Sequence, residues 1–161
     1  MHIEFKRLTD VPVADLVALF AHPDVRRHLP LATGDFSVEA CERFVAAKER
    51  QWSEHGYGPW AFFVDGVFAG WGGLQPEGGD ADLGLVLHPS YWGLGPRLFR
   101  TILRRAFEEM AFESVIVLVP PSRTRTRAIL RLGFRPDGEI EIASQRFLRY
   151  RLRNPELPSS A

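Results

Sequence analysis

Two segments of the chain carry residue types suited to holding an anion. The first, HPSYWGLGPR (88–97), joins an apolar run to a helical one through Gly93 and Gly95. Glycine lets the backbone approach a ligand closely, and a helix start presents N–H groups that the helix itself cannot pair. The segment reads as a seat for a phosphate-bearing ligand, or equally as a turn in which Pro96 stands at the first helical position. It is neither a dinucleotide G-x-G-x-x-G nor a P-loop, because no Lys-Ser/Thr pair follows. The second segment is RTRTR (123–127). On a helix its arginines fan around the axis, with Arg123 and Arg127 sharing a face. One phosphate suits them better than a duplex, since the chain as a whole has a net charge of zero. Single groups offer less. His88 ends a strand, as a proton carrier or a surface residue, and Cys41 reads as core. Tyr57, Trp60, Trp71 and Tyr91 either line a pocket or pack inside, and packing is the stronger reading for the two tryptophans.

Charge supports an anion site. Residues 1–95 hold 13 acids and 7 bases, whereas residues 96–161 hold 7 acids and 13 bases. The second half therefore carries a positive field, all of it from arginine, the better partner for phosphate. The lone cysteine excludes an intrachain disulfide and a cysteine zinc cluster, and no metal is expected. With a charged N-terminus and no apolar run near the ~18 residues that span a bilayer, a cytoplasmic protein without membrane or nucleic-acid partners is expected.

The elements that must position these residues follow from periodicity. IEFKRL alternates as a strand, and Val13, Leu16, Val17 and Phe20 recur at helical spacing. After the loop HPDVRRHLPLATGDF, Ser37 reads as the cap of a helix burying Cys41, Phe44, Val45 and Trp52 and ending near Gly56. Strands over 60–64 and 67–75 join through Asp65-Gly66, and PEGGD leads into a strand over 81–88. Leu98, Phe99, Ile102, Leu103, Ala106, Phe107 and Met110 make the apolar stripe of a helix over 96–111. SVIVLV (114–119) reads as a buried central strand. A short helix opened by Ser122, a strand at Phe134–Arg135, a turn at Pro136-Asp137-Gly138 and a strand over 145–153 complete one α/β domain over 1–153. Residues 154–161 read as a frayed polar tail. Strand 81–88, the long helix and strand 114–119 form a crossover, so the sheet is mixed, with helices on both faces.

Read together, HPDVRRHLPL (22–31), GYGPWAFFV (56–64), FAGWGGL (68–74), ADLGLVLHPSYWGLG (81–95) and AILRLGF (128–134) resemble the GNAT acetyltransferases. The pattern is most similar to the Rim-type branch, which acetylates ribosomal-protein N-termini and other amines. HPSYWGxG and xxLGF are its specific parts. The resemblance implies a mostly antiparallel sheet of about seven strands flanked by four helices, with acetyl-CoA entering where the fourth strand splays from the fifth. It places pantetheine on the backbone of Leu85, Val86 and Leu87, and pyrophosphate on Trp92, Gly93, Leu94, Gly95, Pro96, Arg97 and Leu98. Ser122 and Arg125 fall where the family has Asn and Ser in its last helix. Asp82 stands where the branch has Glu, and becomes the candidate base, acting through water, or else a solvated strand-end acid. Ser122 becomes the donor to the leaving sulfur, or else a helix cap.

Two departures bear on activity. The branch pattern W-G-K-G-L-A meets Trp92-Gly-Leu-Gly-Pro-Arg97 here. Pro96 removes an N–H, at about 1.5–3 kcal/mol for a bond to a charged group. Arg97 either restores it by a charge-assisted bond or obstructs the groove. The family's frequent tyrosine acid has no counterpart. The leading expectation is an enzyme moving acetyl from acetyl-CoA to a primary amine in a ternary complex, with a homodimer left open. The alternative is a binding module that kept the fold and lost or altered the acyl-CoA site.

Overall fold

The structure, a computed structural model, describes residues 1–28, 36–122 and 126–157. Seven strands form one sheet in the order β1-β2-β3-β4-β5-β7-β6. They are β1 (Ile3–Lys6), β2 (Pro59–Val64), β3 (Val67–Glu77), β4 (Asp80–Leu87), β5 (Ser114–Val119), β6 (Arg135–Ile142) and β7 (Gln145–Arg153). All neighbours are antiparallel except β4 and β5. The β2–β3 hairpin turns on Asp65 and Gly66, at φ 48° and 83°, the left-handed pair that matches strand twist. The last hairpin differs from the sequence expectation. Its turn is Ala143-Ser144, at φ 50° and 65°, while the Pro136–Gly138 segment is a bulge inside β6 rather than a turn. Arg149 Nε donates to the Asp137 carbonyl at 2.8 Å and pins that bulge to β7.

Helices cover both faces. On one side lie α1 (Val13–Ala21), α2 (Pro23–Arg26) and α3 (Val38–His55). α2 falls within the segment expected to be loop. Ser37 caps α3 as expected, its Oγ accepting from the Ala40 N–H at 3.1 Å, and Gly56 at φ 78° ends it. Leu16, Phe20, Cys41, Phe63 and Trp71 fill the core beneath these helices. On the other side α4 (Gly95–Arg104) packs Leu98 and Ile102 against Phe62, Leu74, Leu83 and Val117. The long helix expected over 96–111 is preceded by a 3₁₀ helix, Pro89–Leu94, and leaves α-form at Arg105, where a π turn runs to Glu109. There the Arg105 guanidinium lies 4.2 Å from the Phe5 ring centroid. α5 (Arg127–Arg131) begins after Thr126, which stands at the N-cap position without a capping bond, so Ser122 does not open it. The chain also stays anchored past β7. Asn154 is buried, its N–H donating to the Glu113 carbonyl and its amide to the Phe112 carbonyl, where a frayed tail was expected. Among the described residues no helix is long and apolar enough to cross a membrane.

The start of β4 is tied down by charge. Arg151 Nη1 reaches Asp80 Oδ1 at 2.7 Å and Ser114 Oγ at 2.8 Å, and its Nε reaches Asp137 Oδ2 at 2.8 Å. One guanidinium so joins β4, β5 and the β6 bulge. Its hydrogen bonds hold the Asp80 and Asp137 carboxyls below the usual carboxylate range. Depressed carboxylates stabilise the fold above their unfolded pKa, and that contribution is lost as pH falls through the lower folded values. Arg151→Met is expected to cost about 1–3 kcal/mol at neutral pH, between exposed and buried pairs. Urea unfolding should show the deficit shrink toward strong acid.

Candidate active site

β4 and β5 share a single rung, Asp82 with Ile116, and then part. The His88 N–H donates to the Ala69 carbonyl at 2.9 Å. By the two-residue alternation of an antiparallel ladder, Val86 and Gly84 also address β3. The N–H and C=O groups of Leu85 and Leu87 therefore face the gap. A cleft of about 760 Å³ occupies it and passes through the sheet. Leu83, Leu85, Phe99 and Ile129 wall it on the α4 side, Val25 and Val86 on the other.

The turn entering α4 is more closed than its glycines suggest. His88 Nδ1 accepts from the Ser90 N–H at 3.1 Å, and the Gly95 N–H is bonded to the Trp92 carbonyl. Trp92 Nε1 donates to the Leu87 carbonyl at 2.9 Å, leaving an exposed indole at the cleft wall. Gly93 and Gly95 need no left-handed backbone; a Cβ added to either meets nothing within 4 Å. Their value is room, and Gly95 and Pro96 line the cleft.

Of the other residues singled out in sequence, Leu98 is buried in the core and Leu94 packs against it. Arg97 is exposed and outside the cleft wall, as is Ser122, which sits in a turn after β5. Arg123 and Arg125 lie outside the described residues. Two arginines that the sequence reading passed over do line the cleft, Arg100 on α4 and Arg131 on α5. Arg100 follows Pro96 by one helical turn, a spacing that placed it on the same face and could have found it.

Asp82 stands where the two strands part. It is half-buried, opposite Gln75 of β3, on the sheet face covered by α3. Burial pushes its carboxyl up to about 7, Glu77 pushes the same way, and Lys48 opposes them. A carboxyl near half ionisation at neutral pH suits general base catalysis. Tyr57, whose phenol burial raises, packs on Phe112, and Trp60 and Trp71 belong to the cores on opposite faces. Because its folded pKa is raised, Asp82 favours the fold fully below pH ~4, and that contribution is lost as pH rises through about 7. Asp82→Asn should therefore gain in Tm over the parent as pH climbs from 5 to 8; a Tm difference constant across that range would contradict the burial.

A family model described as an acetyltransferase (GNAT) domain matches residues 2–135. A GNAT-family acetyltransferase from Bacillus anthracis shares the fold at TM-score 0.73, with 17% identity over 97% of each chain. RimJ from Mycobacterium smegmatis, solved in complex with CoA-disulfide, matches at TM-score 0.72 and 22% identity, over 98% of this chain and 84% of its own. An aminoglycoside acetyltransferase, AAC(6')-Ib, solved with coenzyme A, matches at TM-score 0.71 and 15% identity, over 94% and 93%.

Proposed function

The chain belongs to the GNAT acetyltransferase family, and on that premise we propose that it transfers acetyl from acetyl-CoA to a primary amine in the cleft between β4 and β5. One observation carries the reading: Leu85 and Leu87 turn their backbone groups into a gap that opens through the sheet. An amide-bearing pantetheine arm suits such an edge, because it offers the donors and acceptors that a missing strand would. Gly95 leaves room beside it, and Arg100 and Arg131 supply cations for phosphate on the α4 side.

The chemistry needs a neutral amine, donors for charge developing on the carbonyl oxygen, and a thiolate that can leave. Asp82 accepts the amine's proton, through water, from the side facing α3. A backbone N–H near Leu87, beyond those that pair pantetheine, is the donor for the oxygen. Orientation supplies much of the rest, since a neutral amine already attacks a thioester well. Asp82→Asn should then lower turnover by ~10²-fold, the low end for one positioned base, without reaching the uncatalysed rate. The acceptor class is a protein N-terminus, as the likeness to a RimJ suggests, or a small amine, as the likeness to an aminoglycoside enzyme suggests. The cytoplasm is the expected place for both.

A second reading has its own support. Pro96 lacks an N–H, the Gly95 N–H is already bonded, and the family's frequent tyrosine acid has no counterpart in the sequence, all of which fit a module that keeps the fold without turnover. Acetyl-CoA binding followed by acetyl transfer to an amine-terminated peptide separates the two. Gly95→Val should weaken acetyl-CoA at least tenfold by calorimetry with an unchanged melting curve, and Arg100→Ala should weaken it more than Arg97→Ala. Unchanged affinity in Gly95→Val would place the ligand elsewhere.

A further inference from the structure

The side of Asp82 away from α4 is built by residues of α3 and β3 that the proposed chemistry leaves unused. Lys48 projects from α3 with its Nζ 5.4 and 5.5 Å from the ring centroids of Phe44 and Trp71. Nζ donates to Gln75 Oε1 at 2.5 Å, and Gln51 Nε2 approaches the same oxygen at 3.4 Å. The strand register gives these contacts a direction. Gln75 lies directly opposite Asp82, and Trp71 directly opposite Val86, which walls the cleft. The Lys48 ammonium therefore sits over β3 between Trp71 and Gln75, whose partners across the ladder are Val86 and Asp82. A half-buried ammonium held by one amide oxygen and two ring faces is fixed in place rather than free to follow solvent.

We propose that Lys48 is the positioning residue of Asp82: fixed by Gln75, the residue opposite Asp82, and by the Phe44 and Trp71 rings, its ammonium favours the charged form of the carboxylate beside the gap. The proposal rests on the reading of Asp82 as the base. The other groups around Asp82 work against ionisation or stand aside. Glu77 of β3 repels it, and Asp80 on the same strand is engaged by Arg151. Ile116 of β5, its partner across the rung, is apolar, and Tyr57 carries a raised phenol. Lys48 supplies the attraction that opposes burial, while burial lowers its own pKa and Asp82 and Glu77 raise it. Without that cation, burial and Glu77 remain, and both drive the carboxyl toward its neutral, unreactive form.

The test uses the full chain with Lys48→Met and Lys48→Arg, and reads two quantities. One is the Asp82 carboxyl titration by carbon NMR in the ligand-free protein, assigned with Asp82→Asn. The other is the acid limb of kcat/KM for acetyl transfer. In Lys48→Met both should move up by about one pH unit, the low end of a neighbouring opposite charge's effect on a carboxylate. The rate below the limb should fall about tenfold, with the alkaline plateau kept. Lys48→Arg should hold both within a few tenths of a unit of the parent. An Asp82 titration that stays in place in Lys48→Met overturns the proposal. A titration that moves while the rate profile does not keeps the Lys48–Asp82 coupling and removes Asp82 from the chemistry.

Discussion

A strand edge presents N–H and C=O groups that call for partners, and β4 presents such an edge to the cleft where β5 turns away from it after one rung. The rest of the molecule holds that separation open. The β3–β4 hairpin keeps β4 on its own side through a continuous register from Gly70 to Glu77. β5 is held from the other side by six consecutive pairs with β7. At the closed end Arg151 ties Asp80 to Ser114 and to the β6 bulge, so the strands diverge from a fixed point. At the open end the Trp92 indole satisfies the Leu87 carbonyl. What remains is an edge that suits an extended, amide-bearing ligand.

Charge is divided about this gap. Glu77, Asp80 and Asp82 cluster around the end where β4 begins, whereas Arg100 and Arg131 line the cleft from α4 and α5. Such a division would orient a ligand with phosphates at one end and an acyl group at the other, as the proposed acetyl-CoA seat requires. The two aspartates of β4 are not equivalent. Asp80 is held ionised by a guanidinium, while Asp82, two residues on, is driven toward neutrality by burial. One carboxylate is fixed in structure and the other is left able to exchange a proton.

Much of this was legible in the sequence because its signals are local. Strand 114–119 was bounded by apolar content and Pro120, and Ser37, Gly56 and Asp65-Gly66 carry standard cap and turn chemistry. The misplacements are equally physical. Ala143-Ser144 adopts left-handed backbone without Gly, Asn or Asp, so that hairpin had no signature, while Pro136-Asp137-Gly138 has a turn's composition but serves as a bulge pinned by Arg149. The Gly93–Gly95 turn stood out by its glycines, yet Gly95 spends its N–H on Trp92 and what it offers is open space. Arg100 was missed because the family pattern ends at Arg97, although Arg100, one turn beyond Pro96, lines the cleft. The setting of Asp82 was invisible, since Lys48, Gln75 and Glu77 meet it only through tertiary packing.

The central claim is that the gap-facing backbone of β4 is the acetyl-CoA seat. Residue-resolved amide hydrogen exchange with and without saturating acetyl-CoA tests it most directly. The amides of Leu85 and Leu87 should exchange faster than those of Gly84 and Val86 in the free protein, and should gain at least tenfold protection when ligand is added. If they are already as protected as their neighbours, or if ligand protects other segments and leaves them unchanged, the gap is not where acetyl-CoA binds.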